Sequence, residues 1–144
     1  MSVVYLHKPG QLVNQIILKK RKEMVKMINE YFKNISLNDA LDIGTTNDME
    51  YDHSNYLIKN LENIKIFKSI SDQKITSSFF LKSITKSIID DFTNEEVDQF
   101  QSDLVLSSAT IEHVGNFTNQ LKMISNIIKL TKKNFVIITP NRFH

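Results

Sequence analysis

The sequence predicts an α/β domain with a doubly wound, mostly parallel sheet. Two observations carry this prediction. Short runs of continuous apolar character alternate along the chain with longer segments in which apolar residues recur at helical spacing. Strands are apolar throughout when helices cover both faces of a parallel sheet, and such sheets alternate strands with helices. The clearest strands predicted in this way lie at residues 40–43, 103–108 and 135–139.

The first predicted element is an amphipathic helix over residues 12–32, which precedes the first strand. Its apolar stripe consists of Val13, Ile16, Ile17, Met24, Met27, Ile28 and Tyr31. The polar face carries a basic run from Lys19 to Lys22. Because no aromatic residues are interleaved with these charges, we interpret the run as a solvated face, with RNA or membrane contact as the alternative. We treat residues 1–35 as an N-terminal helical region and residues 36–144 as the α/β core.

The core is predicted to begin with a strand, a helix and a strand, which together form one βαβ unit at residues 40–43, 48–61 and 64–70. The pattern is weaker between residues 71 and 100, where we expect a helix near Phe79 and then a short strand within 84–89. The series is completed by a buried strand, an amphipathic helix and a strand stopped by Pro140, at residues 103–108, 117–130 and 135–139.

Composition limits what the domain can do. A chain of 144 residues that is 41% hydrophobic can bury one core, and a net charge of +2 gives little attraction toward nucleic acid. Disulfides, thiolate chemistry and cysteine-based metal sites are excluded because the chain has no cysteine. Residues 1–10 are too short and too polar for a signal peptide, and no apolar run approaches the roughly 18 residues that span a bilayer. We expect a cytoplasmic protein without a membrane span.

The first predicted strand ends in an Asp-x-Gly sequence, formed by Asp42, Ile43 and Gly44. A glycine between a strand and a helix lets a ligand approach the backbone closely, and the helix N-terminus presents free N–H groups. An acid directly after a buried strand needs a partner. We therefore favour a ligand-binding role for Asp42 over that of a simple strand-end carboxylate.

Two stretches resemble the class I S-adenosylmethionine-dependent methyltransferases, which have a Rossmann-like core. Residues 41–44 match the start of that family's glycine loop, Asp/Glu-x-Gly-x-Gly-x-Gly, although its second and third glycines fall on Thr46 and Asp48 here. Residues 103–114, ending in Ile-Glu-His-Val, look like the family's fourth strand and the loop after it. The resemblance covers about residues 35 to 144 in the expected order of strands and helices.

The resemblance implies S-adenosylmethionine as the cofactor and assigns roles near the first strand. In such a site Asp42 holds the ammonium group of the methionine part, and Gly44 admits the ligand to the backbone. N–H groups and hydroxyls around the same end come from Thr45, Thr46 and Asn47. Asn47 is also a good helix N-cap, whatever the ligand.

The remaining cofactor contacts are expected after the second, third and fourth strands. Asp72 is the candidate for the ribose hydroxyls, and Asp90 or Asp91 is the candidate for adenine. Each of these three acids is alternatively a solvated or capping residue. Ser107 and Ser108 line the floor beside the sulfonium, unless they simply finish the strand.

Adjacent Glu112 and His113 suggest a metal site or a proton-transfer group. Branches of the family that bind a divalent ion here carry a further Glu, at the position that Ala109 occupies in this chain. We therefore expect no metal and a structural role for the pair, with His113 as the one weak candidate for a general base. No ligand spacing is formed by the other histidines, His7, His53 and His144.

The function expected from these observations is methyl transfer to a small-molecule or cell-envelope-precursor acceptor. The alternative is a methyltransferase-like module that has lost its chemistry and serves in binding or scaffolding. RNA modification, suggested by the basic run, ranks last. The family's sheet adds two more strands beyond the point of Phe143 and His144, so we expect a further segment or a second copy to cover the edge of the fifth strand.

Overall fold

A five-stranded, all-parallel sheet forms the centre of the protein, as seen in a computed structural model that describes residues 10–48 and 51–140. Residues 1–9, which include His7 and on which the prediction that the chain has no signal peptide rests, lie outside the described part, as do Phe143 and His144. The strands are β1 Asp39–Ile43, β2 Ile66–Ser71, β3 Lys82–Thr85, β4 Ser102–Ser108 and β5 Thr131–Ile138. The helices are α1 Gln11–Phe32, α2 Tyr56–Lys59, α3 Asn94–Phe100 and α4 Phe117–Leu130, and a 3-10 turn spans Ile111–His113.

The strand order is β3-β2-β1-β4-β5, so the chain leaves β1 in one direction and returns to its other side at β4. Residue Leu41 at the centre of β1 pairs with Lys68 of β2 and Val105 of β4. The carboxyl ends of β1 and β4 therefore form a topological switch point, where α/β sheets bind ligands. The predicted doubly wound, Rossmann-like α/β fold is confirmed.

Helices cover both faces of the sheet and bury two separate hydrophobic clusters. One cluster joins Ala40 and Leu104 to the side chains of Val25 and Ile28 from α1. The other cluster packs α4 against the opposite face and includes Leu41. Successive residues of β1 thus contribute to different clusters, which explains why all five are buried. None of the helices among the described residues is long and apolar enough to cross a membrane.

Helix α1 confirms the first predicted helix, but only part of the predicted apolar stripe packs against the core, namely Ile28 and, partly buried, Met24. Met27 and Tyr31, assigned above to the apolar stripe, are both more than two-thirds exposed. The residues packed on the sheet are Val25 and Ile28, with Phe32 partly buried beside them. Val13 and Ile16 of the stripe are also exposed. The stripe assignment was therefore wrong for these four exposed residues, because the sequence does not show which part of a long helix touches the sheet.

The helix predicted at residues 48–61 is reduced to the four residues of α2. Asn55 precedes it with a left-handed backbone, at a φ of 51°. The Asn55 side chain accepts a hydrogen bond from the Thr46 N–H at 3.1 Å and donates one to the Thr46 carbonyl at 2.7 Å. These contacts hold the segment as a loop. Asn47 does not cap a helix, because its side chain bonds Lys74 and Thr76 instead.

The helix predicted near Phe79 is absent from the described structure, where residues 72–81 form the connection between β2 and β3. The Phe79 ring stacks on Phe67 with 4.6 Å between ring centroids, and Phe80 is buried in the core. These apolar residues are thus explained by a loop packed on the sheet. Strand β5 begins at Thr131, directly after α4, rather than at Phe135.

Buried ionic contacts link four strands at the amino-terminal edge of the sheet. The Lys68 Nζ donates to Asp39 Oδ2 at 2.8 Å and to the Gln101 carbonyl at 2.9 Å. The other Asp39 oxygen accepts from the Asp103 N–H at 2.8 Å, and Asp103 Oδ2 lies 3.1 Å from Lys133 Nζ. Burial alone raises the pKa of Asp39, but the bonds from Lys68 and the Asp103 N–H outweigh it and lower this pKa.

Replacing Asp39 with Asn leaves the buried Lys68 ammonium without its counter-ion. We expect this variant to lose about 3 kcal/mol in free energy of unfolding, measured by urea denaturation at neutral pH. The matched control is Glu23→Gln, which breaks the exposed Lys20–Glu23 pair and changes stability by less than about 0.5 kcal/mol. Equal urea midpoints for the two variants would contradict the role given to Asp39.

Candidate functional site

A cleft of about 230 Å³ opens at the carboxyl ends of β1 and β4, on the side covered by α1 and α2. It lies at the switch point described above, where ligands bind in this class of sheet. Among the described residues, polar side chains dominate its lining. The lining residues are Arg21, Asp42, Ile43, Gly44, Thr46, Asp48, His53, Ser54, Asn55, Leu57, Ile58, Ser108 and Ala109.

Asp42 is the buried acid of this cleft. Its Oδ2 accepts a hydrogen bond from the Thr45 hydroxyl at 2.6 Å, and the residue is only 6% exposed. In the described part of the chain, no hydrogen bond occupies its Oδ1. Burial raises the pKa of Asp42 to about 7, although the Thr45 hydrogen bond and the charge of Arg21 oppose the shift. Asp42 thus has one carboxyl oxygen bonded and one open. A ligand that brings a cation or a hydrogen-bond donor to the open oxygen would be stabilised there.

Gly44 has the backbone that only glycine adopts readily, with a φ of +84°. A Cβ at this position would lie 2.3 Å from the Thr110 Oγ1. The Thr110 hydroxyl itself bonds the Ile43 carbonyl at 3.1 Å. The glycine therefore permits close packing of the loop after β4, in addition to shaping the turn after β1.

The loop after Gly44 makes most of its polar contacts within the protein. Thr45 is buried, and its carbonyl accepts a hydrogen bond from the Ser71 hydroxyl at 2.7 Å. The Thr46 N–H, which the sequence assigns to the ligand, donates to Asn55 instead. The backbone of Thr46 does not have a positive φ. Among the described residues near it, Gly44 and Asn55 have one. The loop thus keeps its shape through side-chain bonds in place of the missing glycines.

The structure brings together only part of the predicted site. Of the candidates, Asp42, Gly44, Thr46 and Ser108 line the cleft, whereas Thr45, Asn47, Asp72, Ser107 and His113 do not. Ser107 alternates to the other face of β4 and is buried there, and its hydroxyl has no hydrogen-bond partner in the described structure.

The remaining candidates lie around the carboxyl-terminal edge. Asp72 is exposed and directly follows β2, and Asp90 and Asp91 are exposed beyond β3. His113 lies in the 3-10 turn with a side chain that is 51% exposed, and its Nε2 is 3.9 Å from a Glu112 oxygen. The described residues contain no group of three or more His, Asp or Glu that would hold a metal ion.

Arg21 is a lining residue that the sequence analysis missed. The basic run to which it belongs was interpreted as a solvated face, and Lys20 and Lys22 are indeed exposed. Arg21 is partly buried, and burial lowers its pKa, with Asp42 acting in the opposite direction. Helical spacing gives the signal that would have found it, because residue 21 lies four and seven positions before Val25 and Ile28, both buried.

His53 and Ala109 also line the cleft, and Ala109 has a strained backbone. Burial and the charge of Arg21 lower the pKa of His53, so its imidazole is neutral at physiological pH. Ala109 has a φ of 53°, which costs a residue with a Cβ on the order of 1–2 kcal/mol. Such strain is stored where surrounding structure fixes the backbone, and here the Ala109 N–H donates to the Ile138 carbonyl at 2.8 Å.

Comparison with known proteins does not assign a family or a function to the chain. No protein-family model matches the chain, and no curated protein matches it significantly.

Asp42 gives the protein a stability that depends on pH. Its pKa is about 7 when folded and 3.8 when unfolded, so the folded state keeps a proton that the unfolded state releases. The stabilisation that protonated Asp42 contributes to the free energy of unfolding is therefore full below about pH 4. It is lost as the pH rises to about 7. Relative to Asp42→Asn, we expect the wild type to lose about 2–4 kcal/mol between pH 4 and 8 in urea denaturation. Parallel pH profiles would contradict the buried, half-satisfied state of Asp42.

Gly44→Ala tests the contact with Thr110. We expect a loss of more than about 2 kcal/mol in unfolding free energy, because backbone strain adds to the overlap between the new Cβ and the Thr110 hydroxyl. The matched control is Gly115→Ala, which has a φ of +98° but a nearest contact of 3.4 Å. If thermal denaturation shows equal losses for both variants, the Thr110 contact does not constrain this position.

Proposed function

We propose that the protein binds S-adenosylmethionine in the cleft between β1 and β4 and transfers its methyl group to a small-molecule or cell-envelope-precursor acceptor. The observation that carries the proposal is Asp42, a buried acid with an unoccupied oxygen at the switch point of a parallel sheet. The sequence resemblance at residues 41–44 and 103–114 supports the same reading, since these are the residues that lead into the cleft from β1 and β4.

The residues present fit the amino-acid end of this cofactor. Asp42 offers its free oxygen to an ammonium group, and this hydrogen bond is strengthened by charge and burial. Ser54 and Ser108 add two hydroxyl-bearing residues to the lining of the same cleft. The volume of about 230 Å³ is below the roughly 300 Å³ at which small-ligand pockets begin, so it suits one end of the cofactor rather than the whole molecule.

When bound, the cofactor supplies a methyl group that its sulfonium has already activated. The chain then has to hold donor and acceptor in line and keep water away. The buried side chains of Leu57 and Ile58 give the cleft an apolar side suited to excluding water. Asp42 and the loop fixed by Asn55 orient the bound end. Alignment of this kind does not require a strong general base, in agreement with the exposed position of His113.

A second candidate is a binding module without transfer activity. The observation that favours it is the engagement of the loop backbone by the protein itself, since Asn55 bonds both polar groups of Thr46. A module of this kind binds the cofactor and forms no S-adenosylhomocysteine. Measuring S-adenosylhomocysteine release in the presence of a small-metabolite extract and a lipid-precursor extract separates the two candidates.

Isothermal titration with S-adenosylmethionine and S-adenosylhomocysteine tests the binding step. We expect both ligands to bind, and Asp42→Asn to weaken each by about 10- to 100-fold, because a hydrogen bond to a charged group contributes about 1.5–3 kcal/mol. The control is Asp98→Asn on the exposed surface of α3, which leaves affinity unchanged. Absence of binding at millimolar ligand, or equal affinity of Asp42→Asn and wild type, would refute the proposal.

A further inference from the structure

Arg21 lines the cleft from helix α1. In the described part of the protein its guanidinium makes neither a hydrogen bond nor an ion pair, although it is partly buried. It faces the same cleft as Asp42, but no contact of 4 Å or less joins the two charges. A guanidinium has five N–H donors, so burying it without partners is unfavourable.

Asp42 and Arg21 are an acid and a base on one small cavity, and neither has an ion-pair partner among the described residues. Asp42 suits a cation or donor, and Arg21 suits an anion, above all a carboxylate that accepts two parallel hydrogen bonds. A ligand that bears only an anion, such as a phosphate, would meet the carboxyl groups of Asp42 and Asp48. A ligand that bears only a cation would meet Arg21. A group carrying both charges a few ångströms apart satisfies both residues.

We propose that Arg21 binds the α-carboxylate of the ligand whose ammonium group lies at Asp42, so that the cleft selects the zwitterionic end of an α-amino acid. This inference rests on the proposed function and makes it more specific. It assigns selectivity to a residue of α1, outside the glycine loop. Helix α1 supports this role because its neighbouring Val25 and Ile28 are fixed in the core, which positions Arg21 beside β1.

Three ligands test the inference by titration calorimetry. Decarboxylated S-adenosylmethionine lacks only the carboxylate of S-adenosylmethionine, whereas 5′-methylthioadenosine lacks the whole amino-acid chain together with the sulfonium charge. We expect the wild type to bind S-adenosylmethionine about 10- to 100-fold more tightly than the decarboxylated form. Arg21→Met removes this preference by weakening S-adenosylmethionine alone. Arg21→Lys recovers part of it. The control Lys22→Met changes the next, exposed residue and keeps the wild-type preference.

Each other outcome is informative. If Arg21→Met binds S-adenosylmethionine as the wild type does, the inference is overturned and the proposed function stands. If Arg21→Met weakens all three ligands equally, Arg21 acts through the fold, and the inference is again overturned. A wild type that binds none of the three ligands overturns the proposed function together with the inference.

Discussion

The central strand β1 carries an aspartate near each end, and the different environments of these two acids organise the molecule. Every residue of β1 is buried, so neither carboxyl can rely on water. Asp39 at the amino end receives Lys68 and a backbone N–H, which lower its pKa. Asp42 at the carboxyl end receives one hydroxyl and, among the described residues, no cation within ion-pair distance, and its pKa rises to about 7. The acid at one edge of the sheet therefore stabilises the fold, and the acid at the other edge keeps a carboxyl oxygen open for a ligand.

The carboxyl-terminal edge keeps its shape through side chains from distant parts of the chain. Asn55 holds the backbone of Thr46, and Thr110 packs against Gly44 from the loop after β4. In a loop with one glycine, these contacts replace backbone freedom as the means of fixing the turn. The same contacts engage the Thr46 N–H, and the cleft is lined mainly by charged and polar side chains. Recognition of a ligand here therefore depends on side-chain charge, which is why Asp42 and Arg21 carry the proposals.

Sequence patterns predicted the elements whose burial is regular and failed where packing is irregular. Helices α1 and α4 and strands β1 and β4 were found because helical spacing or a continuous apolar run marks them. The long helix expected after Gly44 failed because a hydrogen-bonded Asn55 competes with helical structure. The helix expected near Phe79 failed because Phe79 stacks on Phe67 of β2 and Phe80 enters the core from a loop, where burial leaves no period in the sequence. Both errors arise from contacts between residues that are not neighbours along the chain.

By itself the sequence determined the parallel α/β class, the switch-point position of Asp42 and Gly44, and the absence of cysteine chemistry, since these follow from residue type and local spacing. Only the tertiary structure decided which polar groups meet. It turned Ser107 away from the cleft, engaged the Thr46 N–H with Asn55 and brought Arg21 of α1 to the cavity beside Asp42. The physical reason is that burial and charge pairing are set by elements distant in the chain. The pKa of Asp42, and with it the chemistry of the cleft, becomes defined only when those elements assemble around β1.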